Sequence, residues 1–129
     1  MTQKVYVAHF DGSAKPNPGD RKIGGRIVDP NGKVIYEYSE HLGHGTNNEA
    51  EYLSLVHIAA KIAELGINEV QIFGDSQFVV RQVNGLYKTK EPRMRALKAQ
   101  VLEQLWKIPH WELGHVYRED NTEADALTR

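Results

Sequence analysis

Short alternating apolar and polar runs open the chain and predict β-strands before any helix. Lys4 to Asp11 is a β-branched and aromatic run that ends in Asp-Gly, so we expect a strand with Asp11 at its exit. Ser13 to Gly25 contains two prolines and three glycines, which predicts a loop. A second strand at Arg26 to Asp29 and a third at Lys33 to Ser39 are expected on either side of a Pro-Asn-Gly turn.

Helical spacing of apolar residues begins after Gly43-His44-Gly45, which we expect to be a loop. Thr46, Asn47 and Asn48 offer capping side chains to a helix that runs to about Leu65 and stops at Gly66. The elements expected after it are a strand (Glu69 to Gly74), a helix from Asp75-Ser76 towards Val83, a helix (Pro92 to Lys107), a strand through Trp111, Leu113 and His115, and a helix from Asn121 or Thr122 to Arg129.

The order β-β-β-α-β-α-α-β-α predicts an α/β fold in which helices flank a mixed sheet. A chain of 129 residues is the size of one domain, and we expect that domain to span residues 1–129. Within these elements the large aromatic residues are expected in the core, namely Phe73, Phe78, Trp106 and Trp111, together with Met94.

Composition adds limits to this picture. No apolar run is long enough to span a bilayer and the first residues lack a secretory layout, so a cytoplasmic protein without membrane contact is expected. The chain has no cysteine, and any metal must therefore be held by oxygen or imidazole. A net charge of −1 gives no overall attraction to a polyanion, so composition alone does not suggest a nuclease.

Two aspartates follow predicted strands directly. Asp11 and Asp75 stand where apolar runs end, and ligands bind outside the strand ends of α/β sheets. Each aspartate taken alone is better interpreted as a turn or capping residue, because aspartate favours both places.

Glu51 is harder to explain as a surface residue. Helical periodicity places it on one stripe with Leu55, Ile58 and Ile62, which should face the sheet, and a carboxylate there needs a partner or a metal. Glu49 falls at the margin of the apolar arc and is expected to be solvated. Asp125 lies near the start of the last helix, where simple capping is again an alternative. If the four acids converge they would repel without cations, and Mg²⁺ takes oxygen ligands.

Four ordered blocks of this sequence resemble the ribonuclease H type 1 family, in a short form without the basic handle, like archaeal or short bacterial members. The blocks span nearly the whole chain and each brings one acid: Asp11-Gly12-Ser13 with Asn17-Pro18-Gly19, Thr46 to Glu51, Asp75-Ser76-Gln77, and Asn121 to Asp125. The resemblance implies a five-stranded sheet in the order 3-2-1-4-5 with strand 2 antiparallel to the others.

The same resemblance implies an enzyme that hydrolyses the RNA strand of RNA/DNA hybrids and leaves 5′-phosphate and 3′-hydroxyl ends. Two divalent ions, Mg²⁺ or Mn²⁺, would be held by Asp11, Glu51, Asp75 and Asp125. Residues matching the family's substrate contacts are Gly12, Ser13, Asn17, Thr46, Asn48 and Gln77. Among them, Asn48 and Gln77 would read the minor groove of the hybrid, and amides can do so without favouring one base sequence.

An auxiliary catalytic residue stays open between two candidates. His115 precedes Asp125 by ten positions, the offset of a mobile histidine in many members, but its neighbours look like strand. Arg118 is the rival and is slightly favoured. Longer family members carry a basic insertion, the handle, that this chain lacks. The chain has instead a basic cluster, which is either a hybrid-binding edge or a solvated helix face. The cluster consists of Lys88, Lys90, Arg93, Arg95 and Lys98.

Two other functions remain possible from the sequence. One is a catalytically silent module that binds hybrids, which the presence of all four acids disfavours. The other is a nuclease of the same fold that also cuts double-stranded RNA or acts on DNA junctions. In each case the chain is expected to work as a monomer.

Overall fold

The computed structural model describes residues 4–129, whose strands form one sheet in the order β3-β2-β1-β4-β5. The strands are β1 (Tyr6–Lys15), β2 (Gly19–Val28), β3 (Val34–Gly45), β4 (Glu69–Gly74) and β5 (His110–His115). Strand β2 pairs antiparallel with β1 and β3, whereas β4 pairs parallel with β1 and β5. The α/β class, the strand order and the antiparallel second strand are therefore confirmed.

Four α-helices accompany the sheet in the described residues. They are α1 (Asn47–Glu64), α2 (Gln77–Val83), α3 (Pro92–Leu105) and the short α4 (Thr122–Ala126), which a 3₁₀ turn at Arg118–Asp120 precedes. Helix α4 ends three residues before Arg129, so the last helix is shorter than expected. Among residues 4–129 no helix is both long and apolar enough to cross a lipid bilayer.

The first hairpin differs most from the sequence prediction. Residues 13–15 and 19–25 form the facing halves of β1 and β2 rather than a loop, and the pairing runs from Val7↔Val28 to Lys15↔Asp20. The prolines are confined to the tight turn between the strands. Gly24 and Gly25 serve close packing, because a Cβ on Gly24 would lie 2.6 Å from the Leu127 Cβ and one on Gly25 would lie 2.6 Å from the Tyr38 hydroxyl. The expected loop at residues 43–45 is likewise the end of β3.

Strand alternation divides the sheet into two faces with different tasks. On β1, Phe10 and Gly12 face α1, and a Cβ on Gly12 would lie 2.3 Å from the Ala50 carbonyl carbon. Asp11 and its same-face neighbours on β1 point to the opposite face, where α4 and the residues after it lie against β1 and β2. The side chain of Asp11 thus lies beside the residues that follow α4, and its Oδ2 is 3.1 Å from the Thr128 hydroxyl.

Helix α1 supplies the centre of the core, with Tyr52, Leu55, Ile58 and Ile62 fully buried. Met94 is buried as expected, whereas two aromatic predictions are wrong: Trp106 is 77% exposed and Phe78 is 40% exposed. Trp106 caps the C-terminus of α3, beyond the last buried residue of that helix, and Phe78 lies on the outer side of the two-turn α2. Phe73 and Trp111 are half-buried.

Candidate active site

A crevice opens where β4 stops and β1 continues. The two strands pair only as far as Phe10↔Gly74, so Asp11 is the first residue of β1 beyond that pairing and Asp75 is the first residue after β4. Asp11 therefore lies in the middle of β1 rather than at its exit, which corrects the sequence prediction. Its position beside Asp75 is nevertheless the strand-end position expected of ligand sites in α/β sheets.

Glu51 enters the same crevice from the first turns of α1. Single ligand oxygens of Asp11, Glu51 and Asp75 all lie within 4.8 Å of one another. Asp11 and Glu51 are buried, with 5% and 7% exposure, and Asp75 is half-buried. Three of the four acids predicted from the sequence are therefore brought together.

The electrostatics of this group favour the binding of a cation. Burial, with the adjacent Asp75 carboxylate, raises the pKa of Asp11 from 3.8 to about 6. Burial and the charge of Asp11 raise the pKa of Glu51 well above its usual range. Glu51 Oε2 is buried without a hydrogen-bond partner. Buried, mutually repelling oxygens with an unsatisfied acceptor fit a divalent cation, which takes carboxylate ligands.

Glu49, two residues earlier on α1, has a different environment. It is 6% exposed, so the prediction of a solvated side chain is wrong. Its Oε1 accepts from the Thr46 backbone N–H at 2.8 Å in a capping box, and Oε2 forms ion pairs with Arg93 and, at 3.8 Å, with Arg21. Because cationic partners satisfy Glu49, it needs no metal, whereas Glu51 has acidic neighbours.

Asn121 and Thr128 hold the aspartates, and neither role is predicted from the sequence. The buried Asn121 amide donates to the Phe10 carbonyl oxygen at 3.0 Å and to Asp75 Oδ2 at 3.3 Å. The buried Thr128 hydroxyl lies 3.1 Å from Asp11 Oδ2 and 2.8 Å from the Asp125 carbonyl oxygen. From the sequence, an asparagine at a predicted helix start is interpreted as a helix cap. Its side-chain partners, which are distant in sequence, are known only from the tertiary structure.

Asp125 lies beside the three carboxylates but pairs elsewhere. Its Oδ2 is 2.8 Å from the Arg129 guanidinium, in an i,i+4 ion pair. Its charge still contributes to the raised pKa of Asp11. Asp125 is therefore close enough to affect the cluster electrostatically, while its part in metal binding stays a prediction.

The two candidates for an auxiliary residue lie on the same connection. His115 is the last residue of β5, is half-buried, and pairs in register with Gly74, the residue before Asp75. Its ring meets Tyr117 edge-on, with centroids 5.4 Å apart. Arg118 is exposed at the start of the 3₁₀ turn. The strand ends at His115, and Val116 and Tyr117 lie outside it, so the prediction that these two residues continue the strand is wrong. The choice between His115 and Arg118 stays a prediction.

An open groove of about 450 Å³ lies beside the N-terminus of α1. Asn17, Thr46 and Asn48 line it together with Arg93 at the start of α3. The β1–β2 turn is fixed to the helix here, since Asn17 Oδ1 accepts from the Asn47 backbone N–H at 3.1 Å, and Asn47 Oδ1 accepts from the Ala14 N–H at 2.6 Å. The structure thus gathers three of the predicted substrate residues at one polar groove.

The other predicted contacts surround the carboxylates. Gln77 is exposed at the first position of α2, two residues after Asp75. Gly12 lets α1 approach β1 closely, and Ser13 lines a small pocket of about 130 Å³ with Thr128. In the basic cluster, Lys88, Lys90 and Arg95 are exposed and Lys98 is half-buried, whereas Arg93 pairs with Glu49.

Comparison with known proteins gives consistent matches over nearly the whole chain. The profile of the family described as "Reverse transcriptase-like" matches residues 9–129. The chain is 35% identical over 120 residues to the protein named "Ribonuclease HI" of Halobacterium salinarum, covering 93% of this chain and 60% of that relative. It is 33% identical over 124 residues to "Bifunctional protein Rv2228c" of Mycobacterium tuberculosis, covering 94% of this chain and 34% of that protein. The chain thus spans about three fifths and one third of these curated relatives.

Solved structures agree with the sequence matches. The crystal structure of RNase H1 from Halobacterium salinarum superposes with a TM-score of 0.91 at 34% identity, covering 95% of this chain and 93% of that one. LC11-RNase H1, solved in complex with an RNA/DNA hybrid, gives 0.87 at 34% identity, covering 95% and 92%. With the profile match, the strand order and the carboxylate cluster in agreement, the chain belongs to the ribonuclease H type 1 family.

Proposed function

We propose that this chain is an endoribonuclease that hydrolyses the RNA strand of RNA/DNA hybrids, with two divalent ions, Mg²⁺ or Mn²⁺, in its active site. The observation that carries the proposal is the group formed by Asp11, Glu51 and Asp75, whose ligand oxygens lie within 4.8 Å of one another in the crevice beside β4. A family relative solved in complex with an RNA/DNA hybrid supports the choice of substrate.

Asp11, Glu51 and Asp75 would hold the ions, with Asp125 as the fourth ligand residue. Bound there, the ions would supply an activated water on one side of the scissile phosphate and charge neutralisation of the leaving 3′-oxygen on the other, which leaves a 5′-phosphate. The chain itself fixes the carboxylates, because Asn121 holds Asp75 and Thr128 contacts Asp11. Preorganised ligands reduce the reorganisation that metal binding requires.

Substrate contacts are proposed on both sides of the carboxylates. Asn17 and Thr46 line the groove beside α1 and would contact a phosphate of the DNA strand. Asn48 and Gln77 would hydrogen-bond to 2′-hydroxyls and base edges in the minor groove, which distinguishes RNA from DNA by the sugar. Arg118, with His115 as the alternative, would assist at the phosphate.

The exposed lysines and arginines around α3 are proposed as a further binding surface for the hybrid. They lie in the region where longer family members carry the basic handle. Only residues 84–91 separate α2 from α3. Double-stranded RNA shares the A-form shape and the 2′-hydroxyls, so weaker cutting of that substrate is an alternative outcome. We propose that the chain acts as a monomer, which size-exclusion chromatography with light scattering would test.

One assay separates these functions. Labelled RNA/DNA hybrid, double-stranded RNA and double-stranded DNA are incubated with Mg²⁺, Mn²⁺ or EDTA, and the product ends are tested with a 5′-phosphate-dependent exonuclease. We expect metal-dependent cleavage of the RNA in the hybrid. Hybrid binding without cleavage under every metal condition would instead show a silent binding module.

The variant Asp75→Asn tests the proposed ligand set. We expect it to lose at least 100-fold in cleavage while its circular dichroism stays unchanged, because the amide removes one anionic ligand. Glu103→Gln is the matched control, since Glu103 is an exposed carboxylate on α3 away from the crevice. Full activity in Asp75→Asn would show that the metal site lies elsewhere.

A further inference from the structure

The segment Leu127–Arg129, which follows α4, crosses β2 and contacts Asp11. It has three points of attachment to the sheet besides the metal site. Leu127 packs on Gly24, the Ser39 hydroxyl donates to the Leu127 carbonyl oxygen, and the Lys22 ammonium donates to the Arg129 main-chain oxygen. These contacts hold the segment on the face of the sheet that carries Asp11.

Thr128 is the residue of this segment that reaches the carboxylates. It is 4% exposed, and its hydroxyl lies 3.1 Å from Asp11 Oδ2. The same oxygen is 2.8 Å from the Asp125 carbonyl oxygen, an i to i−3 contact that fixes its direction. The Thr128 hydroxyl has one proton, which is shared between the Asp11 carboxylate and the Asp125 carbonyl oxygen. The carboxylate is the stronger acceptor because it is charged.

We propose that Thr128 is a positioning residue of the metal site: its hydroxyl engages Asp11 Oδ2 and thereby sets the orientation in which the carboxylate meets a divalent cation. The inference rests on the proposed function only in that Asp11 is a metal ligand. Hydrogen bonds from outside the ligand set commonly change metal affinity by about 10-fold to 100-fold when they are removed.

Thr128→Val and Thr128→Ser form a matched pair that isolates the hydroxyl. Valine keeps the branched shape and the packing but cannot donate, whereas serine keeps the donor and loses a methyl group. We expect Thr128→Val to weaken Mg²⁺ binding about 10-fold, measured by isothermal titration calorimetry without substrate. Thr128→Ser should stay within about threefold of the unaltered protein.

A purely structural role would give a different pattern. If Thr128 only stabilises the fold, both variants should lower the melting temperature while the Kd for Mg²⁺ stays unchanged. We also expect the kcat of hybrid cleavage at limiting Mg²⁺ to fall in Thr128→Val with little change in KM, and to recover at high Mg²⁺. A Kd for Mg²⁺ in Thr128→Val within twofold of the unaltered protein would overturn the proposal.

A second variant tests whether the attachment of the segment matters without touching the metal site. Ser39→Ala removes the hydrogen bond to the Leu127 carbonyl oxygen at an exposed position. We expect a smaller loss of Mg²⁺ affinity than in Thr128→Val, about twofold to fivefold, and a loss as large as that in Thr128→Val would overturn the assignment of the effect to the Thr128 hydroxyl. Mg²⁺ binding without hybrid cleavage would overturn only the proposed function, whereas a protein that binds no divalent ion would overturn the role of Thr128 as well.

Discussion

Replacing Asp11 with asparagine should make the metal-free protein more stable, although it removes a proposed ligand. Burial and the neighbouring carboxylates raise the pKa of Asp11 from 3.8 to about 6. The folded state therefore holds the Asp11 proton more tightly than the unfolded state, so ionisation above pH 6 works against folding. Asparagine has nearly the same shape and its carbonyl oxygen can still accept from Thr128.

The pKa shift sets the size of the gain. A shift of about two units corresponds to roughly 3 kcal/mol at about 1.36 kcal/mol per unit, and the cost of burying an amide reduces it. We expect a net gain of about 1–3 kcal/mol at pH 7.5, or roughly 3 °C in melting temperature for each kcal/mol in a chain of this size. The gain should vanish below about pH 3, where the carboxyl is protonated in both states, and should grow as the pH rises from about 4 to about 6.

Urea denaturation in EDTA across this pH range measures the effect, with Glu103→Gln as the exposed control. Adding Mg²⁺ should reverse the order of stability, because a cation that binds only the folded state contributes about 2.7 kcal/mol at 100 times its Kd. The unaltered protein should receive this contribution and Asp11→Asn should not. A variant that is less stable at pH 7.5, or a gain that does not depend on pH, would refute the reasoning.

Three further predictions concern residues whose environments the sequence misjudged or missed. Glu49→Gln should lower the free energy of unfolding by about 1–3 kcal/mol in urea titrations, because it loses its ion pairs, yet Mg²⁺ should still stabilise it; an unchanged midpoint would contradict the pairing. Asn121→Ala should cost a similar amount because it removes the hydrogen bonds to the Phe10 carbonyl oxygen and to Asp75, and retention of full stability would argue against these bonds. Trp106→Ser should change stability by less than about 1 kcal/mol in thermal melts, against about 2–5 kcal/mol for Leu105→Ala.

Helical periodicity predicted the most informative side chain of the site. Glu51 was placed on the apolar stripe of α1 from spacing alone, and the structure confirms that it is buried there. The same reasoning failed for Glu49, because periodicity describes one helix and the partners of Glu49 lie on β2 and α3. A carboxylate at the margin of a stripe is buried or solvated according to the cations that other elements bring to it.

The β1–β2 hairpin could not be predicted from local composition. The glycines and prolines between residues 13 and 25 are typical of a loop. Gly24 and Gly25 nevertheless lie within β2, because Leu127 and Tyr38 occupy the space that a Cβ at these positions would need. Those partners come from distant parts of the chain. The strand order and the hybrid substrate were implied by the ordered motifs rather than by the pattern of apolar residues.

The contacts of Asn121 and Thr128 have a consequence for the order in which the protein acquires activity. They join residues 111 and 117 positions apart in sequence, the longest-range side-chain hydrogen bonds among residues 4–129. Contacts of such separation carry the largest loop-closure cost and form late in folding. A chain that has built its sheet and α1 but has not yet docked α4 and the residues on either side of it would hold its carboxylates without the donors Asn121 and Thr128. We therefore expect nuclease activity to appear only after the sheet and α1 have formed, in the last step of folding.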